Sequence, residues 1–160
     1  MKPVKLIIFD IDGVLTNGKV YIFEDGHEAK AYRLTEIDSL NEIKRMGFLI
    51  AAVTGEDTPI VNIFKKKIEW DRFVSGCKEK FEAVEAIASE LGVLLEEIVY
   101  IGDGKYDIEP IKHVGLGMCP DNAIRDVKEV SDLILQGRGG ENCIQELERY
   151  LRSKNGQENV

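Results

Sequence analysis

Histidine and cysteine are scarce in this sequence. Its 160 residues include two histidines, His27 and His113, and three cysteines, Cys77, Cys119 and Cys143. The cysteines form no CxxC pair and no cluster with histidine. Their odd number and their spacing argue against a zinc site and indicate a reduced, cytoplasmic setting.

Long apolar runs and an excess of positive charge are missing as well. The first apolar run, Leu6–Phe9, is far shorter than a signal-peptide core or a membrane span, so we expect neither. The net charge of -8 argues against nucleic acid and against an anionic membrane surface as partners. Any phosphate chemistry must therefore be concentrated at one local site.

Short apolar runs alternate with amphipathic ones along the chain. The apolar runs predict buried strands at residues 5–9, 48–54, 71–76, 98–104, 115–120 and 132–136. Helical spacing predicts helices at residues 36–46, 58–68, 79–92, 106–114, 122–131 and 139–153. Strands that alternate with helices predict an α/β fold with a Rossmann-like, mostly parallel sheet covered on both faces. We expect a single domain over residues 1–152 and a mobile tail over residues 153–160.

One segment breaks this alternation. Residues 18–32 alternate apolar and polar side chains around Asp25-Gly26, which is the pattern of a β-hairpin. We therefore expect a small hairpin over about residues 17–33, directly after the first strand.

Polar side chains follow four of the predicted strands. In parallel sheets, ligands bind beyond the carboxyl ends of the strands. The residues at these ends are Asp10 and Asp12, Thr54 and Gly55, the segment that leads to Lys80, and Asp103 and Asp107. The sequence therefore predicts one site that combines carboxylates with a hydroxyl and a lysine.

Carboxylates that converge repel one another. Either one of them keeps a proton at a raised pKa or the site binds a hard divalent cation, and Mg²⁺ suits an all-oxygen site beside a phosphate. With the phosphate charge neutralised, an aspartate can act as a covalent nucleophile, and Asp12 can protonate the leaving oxygen and then activate water.

Other interpretations remain open at this point. A calcium loop would need oxygen ligands where Val14 and Leu15 stand. Lys78 competes with Lys80 for the phosphate. A receiver-like domain that stores a phosphoryl group shares most of these residue types, although Asp12 would hydrolyse the stored group. A non-catalytic domain that kept the fold is the third alternative.

The residues "FDIDGVLT", "VTG", Lys80 and "GDGKYD" resemble, in order and spacing, the four motifs of the haloacid dehalogenase superfamily of phosphatases. The resemblance implies Asp10 as nucleophile and Asp12 as general acid and base. It implies Thr54, Gly55 and Lys80 as phosphate ligands, with Lys80 also a catalytic residue and Asp12 also in contact with the substrate. It also implies Mg²⁺ held by Asp10, the Asp12 carbonyl and Asp103, with Asp107 in support.

Within the superfamily, the hairpin and the segment "GRGGENCIQELERYL" are similar to the 3-deoxy-D-manno-octulosonate 8-phosphate phosphatases of lipopolysaccharide precursor synthesis. The resemblance implies a sugar phosphate substrate. It also implies a hairpin flap in place of a cap domain, and a homotetramer in which neighbouring subunits roof the site, with Arg138 binding substrate. The chain departs from this family where basic residues are expected, at Thr35, Asn41, Glu56 and Phe64.

Overall fold

A computed structural model describes residues 2–156 and contains every strand and helix that the sequence predicts. The strands are β1 (Leu6–Phe9), β2 (Tyr21–Ile22), β3 (Glu28–Ala29), β4 (Leu49–Val53), β5 (Arg72–Val74), β6 (Ile98–Ile101), β7 (Leu116–Cys119) and β8 (Leu133–Ile134). The helices are α1 (Leu34–Arg45), α2 (Pro59–Lys67), α3 (Lys80–Leu91), α4 (Ile108–His113), α5 (Arg125–Val130) and α6 (Cys143–Lys154).

Six strands form one parallel sheet in the order β5-β4-β1-β6-β7-β8. Strand β1 lies in the middle, between β4 and β6. The sheet has helices on both faces, so the Rossmann-like α/β prediction is confirmed. Because all six strands point the same way, their carboxyl ends meet at one edge of the sheet.

Strand residues alternate between two hydrophobic clusters. Ile7 and Phe9 of β1 pack with α1, α2 and α6 on one face, while Leu6 and Ile8 pack with α3, α4 and α5 on the other. Each of these four side chains is fully buried. This burial on both faces explains the unbroken apolar runs that predicted the strands.

Helix α6 begins later than its prediction, at Cys143 rather than residue 139. The preceding residues, 137–142, use their backbone to contact the loop after β1: the Gly140 N–H donates to the Val14 carbonyl at 2.9 Å. The helix then continues to Lys154, so it includes two residues of the predicted tail. Residues 157–160 of that tail lie outside the described residues.

The start of α6 is fixed by a buried carboxylate from α1. The Ile144 N–H donates to Glu36 Oε2 at 2.7 Å, and burial raises the pKa of Glu36. A carboxylate at a helix N-terminus satisfies N–H groups that have no partner within the helix. Glu36 thereby fixes the first turn of α6 against α1.

Strands β2 and β3 form the predicted hairpin. They pair in antiparallel register, Tyr21 with Ala29 and Ile22 with Glu28. The side chains of Tyr21, Ile22 and Phe23 are exposed. We call residues 17–33 the flap, because they rise from the end of the sheet that carries the predicted site.

In the part of the chain that the structure describes, no helix has the length and apolar character needed to cross a membrane.

The buried sheet should dominate the stability of the fold. Ile50 of β4 is 0% exposed, and Ile50→Ala should lower the free energy of unfolding by about 2–5 kcal/mol because it leaves a cavity. The control Ile63→Ala removes the same atoms from a side chain that is 57% exposed. It should change the free energy of unfolding by less than about 0.5 kcal/mol. Urea unfolding at one protein concentration measures the free energy of unfolding of both variants. An equal decrease in the two variants would contradict the assignment of the core.

Candidate active site

A cavity of about 290 Å³ opens at the carboxyl edge of the sheet. Asp10 directly follows β1, Thr54 follows β4, and Asp103 lies two residues beyond β6. These three strands are neighbours, so the sheet order itself brings the predicted residues together. The cavity is lined by Asp10, Asp12, Thr54, Gly55, Glu56, Lys78, Lys80, Gly104, Tyr106 and Asp107.

Lys80 lies at the centre of a buried ion-pair network. It is the first residue of α3, and its Nζ lies 2.9 Å from Asp10 Oδ2 and 2.8 Å from Asp107 Oδ1. Burial alone would lower the pKa of Lys80, but the charges of the two aspartates raise it above its ordinary value. Lys80 is therefore a fixed positive charge beside Asp10.

Lys78 also lines the cavity but has a different environment. Its Nζ lies 5.8 Å from the ring centroid of Tyr106, whose side chain is exposed at the mouth of the site. Of the two lysines that compete on sequence grounds, Lys80 is therefore the one that contacts Asp10.

Asp107 uses both carboxylate oxygens to organise its surroundings. Oδ1 accepts from Lys80 and from the Tyr100 hydroxyl at 2.6 Å. Oδ2 accepts from the N–H groups of Asp103 and Gly104 at 3.1 and 2.9 Å. With both oxygens engaged in this way, Asp107 suits the supporting role that the family resemblance implies for it.

Three carboxylates come close enough to share a cation. Each of Asp10, Asp103 and Asp107 offers an oxygen within 4.8 Å of the other two. Burial, together with the charge of Asp107, raises the pKa of Asp103 to about 7, although Lys80 opposes this shift. Burial, followed by the charge of Asp107, also raises the pKa of Asp10 well above its usual range.

Burial is the largest cause of both shifts, and the negative charge of Asp107, which Lys80 opposes, adds to it. A set of oxygen donors with excess negative charge fits Mg²⁺ better than it fits a softer metal. The Asp12 carboxylate is not part of this cluster, so its predicted contribution to the metal is limited to its backbone carbonyl.

Gly13 makes the close approach of two loops possible. Its φ is 84°, and a Cβ at this position would lie 1.8 Å from Asp103 Oδ2. A side chain at residue 13 would therefore displace one of the predicted metal ligands. The glycine in "DIDG" is required by the site as well as by the turn.

The Asp12 carboxylate is held from two sides. Its Oδ1 accepts a hydrogen bond from the Thr16 hydroxyl at 3.2 Å, and its Oδ2 accepts one from Lys30 Nζ at 2.7 Å. Lys30 also donates to Glu56 Oε2 at 2.9 Å. Burial would lower the pKa of Lys30, but Asp12 and Glu56 raise it.

Lys30 is a site residue that the motifs do not reveal. It comes from the flap, 18 positions from Asp12 and 26 from Glu56, and no spacing rule links such residues.

Arg138 does not reach the cavity of its own chain. Its side chain is 57% exposed and lies 3.8 Å from Asp121. The backbone beside it is fixed by Asn122, whose side chain donates to the Gly13 carbonyl at 2.9 Å and accepts from the Gly139 N–H at 2.6 Å. A role for Arg138 in binding substrate therefore needs a neighbouring subunit and stays a prediction.

Four positions where the 3-deoxy-D-manno-octulosonate 8-phosphate phosphatases are expected to have basic residues lie in different surroundings here. Phe64 is 2% exposed and packs edge-on against Tyr32, with ring centroids 5.3 Å apart. Glu56 lines the cavity and pairs with Lys30. Thr35 and Asn41 are exposed. Phe64 is thus a core residue, whereas Glu56 adds an acid to the site.

Comparison with known proteins identifies the class of protein. A model of the haloacid dehalogenase-like hydrolase family matches residues 19–138, and the chain belongs to that family. The whole chain is 25% identical, across 160 residues, to the 3-deoxy-D-manno-octulosonate 8-phosphate phosphatase KdsC of Haemophilus influenzae, of which it covers 89%.

Solved structures support the same relationship. A probable YrbI family phosphatase from Pseudomonas syringae has a TM-score of 0.93 and 32% identity, with 98% of this chain and 89% of that chain covered. A second structure is the 3-deoxy-D-manno-octulosonate 8-phosphate phosphatase of Moraxella catarrhalis, solved with magnesium, phosphate and KDO. It has a TM-score of 0.91 and 26% identity, with 96% of this chain and 89% of that chain covered. The chain is a phosphatase of this family and resembles these enzymes.

The pKa of Asp103 predicts how metal-free stability depends on pH. In the folded state the pKa is about 7, against 3.8 for an unperturbed aspartate. Between these values the folded state holds a proton that the unfolded state has released, so the contribution of Asp103 to stability falls as pH rises. Asp103→Asn should therefore raise the melting temperature of metal-free protein near pH 8, by about 2–4 °C for each kcal/mol gained.

This gain should shrink as the pH falls from 7 towards 4 and should vanish only below 3.8, where the carboxyl is protonated in both the folded and the unfolded state. Thermal unfolding in a chelator across this range measures it. The control Asp38→Asn alters an exposed aspartate of α1 and should show no such trend. A gain from Asp103→Asn that is the same at low and high pH would contradict the assigned pKa.

Proposed function

We propose that this protein hydrolyses a small sugar phosphate monoester in the presence of Mg²⁺, through a phosphoryl group carried on Asp10. The observation that carries the proposal is the cavity in which Asp10 and Thr54 lie beside the buried charge of Lys80, with Asp103 close by. The free cysteines fit our expectation that the enzyme works in a reduced, cytoplasmic setting.

In this proposal the carboxylates of Asp10 and Asp103 and the Asp12 carbonyl would hold Mg²⁺. When bound, it neutralises charge on the phosphate and on Asp10, which lets the two anions approach each other. Thr54 and the backbone at Gly55 face the same cavity and would hydrogen-bond the phosphate oxygens. Lys80 supplies a second fixed positive charge at the site.

The first step transfers the phosphoryl group to the enzyme. An Asp10 carboxylate oxygen attacks phosphorus while the bond from phosphorus to the sugar oxygen breaks. Asp12 gives its proton to that oxygen, and the sugar leaves as an alcohol.

The second step returns the enzyme to its starting state. Asp12, now a carboxylate, takes a proton from water as the water oxygen attacks phosphorus. The bond between phosphorus and Asp10 breaks, inorganic phosphate leaves, and Asp12 is again protonated.

We propose 3-deoxy-D-manno-octulosonate 8-phosphate as the first substrate to test, because the relatives from Haemophilus influenzae and Moraxella catarrhalis carry that activity in their names. A different sugar phosphate is the second candidate. Glu56 in the cavity and Phe64 in the core favour it, because neither can bind a sugar carboxylate as an arginine would.

Several features support the proposed homotetramer. The flap exposes the side chains of Tyr21, Ile22 and Phe23, and a group of exposed apolar side chains favours contact with another protein surface. The flap is short and leaves the cavity open, and Arg138 stands outside the cavity of its own chain. A neighbouring subunit would cover the site and could supply Arg138.

The roles of Asp10 and Asp12 can be separated by substitution. Asp10→Asn should abolish turnover because the nucleophile is lost. Asp12→Asn should lower kcat by about 10²–10⁴-fold because proton transfer is lost. Phosphate release with and without Mg²⁺ measures both. Full activity of Asp10→Asn would exclude the covalent route, and a wild-type phosphorylated form that survives for hours would indicate a receiver-like domain instead.

Substrate choice needs a panel of phosphate esters. We expect 3-deoxy-D-manno-octulosonate 8-phosphate to have the highest kcat/KM in a set that includes neutral sugar phosphates of similar size. Preference for a neutral sugar phosphate would support the second candidate. No turnover of any ester with Mg²⁺ bound would support a non-catalytic domain.

The assembly is tested by multi-angle light scattering at micromolar concentration. We expect a homotetramer. Ile22→Asp places a charge on the exposed flap surface and should weaken the assembly, while the distant exposed control Leu94→Asp should not. A monodisperse wild-type monomer would contradict the proposed roof over the site.

A further inference from the structure

Lys30 is a buried contact between the flap and the catalytic loops. It follows β3 directly, yet its side chain is 2% exposed. Its Nζ donates to Asp12 Oδ2 at 2.7 Å and to Glu56 Oε2 at 2.9 Å. Three segments therefore meet at one ammonium group: the flap, the loop after β1 and the loop after β4.

Burying a lysine is unfavourable unless its charge is compensated. Here two carboxylates compensate it, and both of them line the cavity. An ammonium group has three donors, so two carboxylates occupy most of its capacity. The arrangement is a specific polar contact rather than a lysine stem that covers apolar surface.

The contact constrains the one carboxylate that must move a proton. Asp12 Oδ2 is held by Lys30, and Oδ1 faces the hydroxyl of Thr16. The Thr16 oxygen also accepts from the N–H groups of Gly13 and Gly18, so its position is fixed as well. Each Asp12 oxygen therefore has a fixed donor, the charged Lys30 for Oδ2 and the neutral Thr16 hydroxyl for Oδ1, and the two contacts together set the orientation of the carboxylate.

We propose that Lys30 is a positioning residue that orients the Asp12 carboxylate for proton transfer and thereby links the placement of the flap to the chemical step. This inference rests on the proposed function of Asp12. Lys30 keeps its own proton throughout: the proton lost by Asp12 goes to the leaving sugar oxygen as the phosphorus–oxygen bond breaks. Glu56 accepts a second hydrogen bond from Lys30 and helps to hold its ammonium group beside Asp12.

The role of Lys30 predicts an effect that depends on the leaving group. A sugar alkoxide needs a proton as it leaves, whereas p-nitrophenolate is stable as an anion. Lys30→Met should therefore slow phosphoryl transfer from a sugar phosphate by about 10–100-fold. It should slow the burst of p-nitrophenolate from p-nitrophenyl phosphate by less than about threefold, since that step needs little acid catalysis.

Rapid-quench kinetics for the sugar phosphate and stopped-flow absorbance for the aryl ester measure the two steps on the full-length enzyme with Mg²⁺. Lys19→Met is the matched control, because it removes an exposed lysine from the same flap. It should leave the ratio of the two rates unchanged. If Lys19→Met shifted the ratio as strongly as Lys30→Met, a specific role for Lys30 would be wrong.

If Lys30→Met slowed phosphoryl transfer equally from both esters, Lys30 would be only a structural contact and the inference would be overturned. If that variant does not fold, Lys30→Gln keeps a donor of similar shape, and the same comparison applies to it. These outcomes differ from failure of the proposed function, in which the wild-type enzyme itself would show no burst and no sugar phosphate hydrolysis.

Discussion

Repulsion among carboxylates at one edge of the sheet is the constraint on which the site depends. Asp10, Asp103 and Asp107 bring oxygens within 4.8 Å of one another, with Lys80 as the buried cation that contacts two of them. Burial raises the pKa values of Asp10 and Asp103, and the neighbouring charge of Asp107 raises them further. A site in this state gains stability from a divalent cation and, through that cation, from a phosphate.

The fold holds this unfavourable cluster together with rigid structure. The sheet is buried on both faces, so its parallel strands fix the backbone positions of Asp10, Thr54 and Asp103. The hydrogen bonds to Asp107 hold the loop after β6, and Gly13 lets the first loop touch Asp103 without a clash. The sheet does not fix the Asp12 carboxylate in the same way. Its position depends on the contact with Lys30 of the flap.

The sequence predicts the residues whose positions follow from local rules. Apolar runs locate the strands, and residues at the ends of parallel strands must meet, so the grouping of Asp10, Thr54 and Asp103 follows from the amino-acid order. The contacts of Lys30 and Asn122 do not follow from the amino-acid order, because their partners are far away in sequence. These contacts form only when the flap and residues 137–142 fold back onto the first loop. The late start of α6 is unpredicted for the same reason. Its N-terminus is set by Glu36, which lies 108 positions from Ile144.

The central claim is that Asp10 carries the phosphoryl group during turnover. It is tested most directly by acid-quenching the enzyme during turnover of a sugar phosphate with Mg²⁺ and mapping the phosphorylated peptide by mass spectrometry. We predict a phosphoryl group on the peptide that contains Asp10, present during turnover and lost when the substrate is exhausted. A phosphoryl group on any other residue would contradict this mechanism.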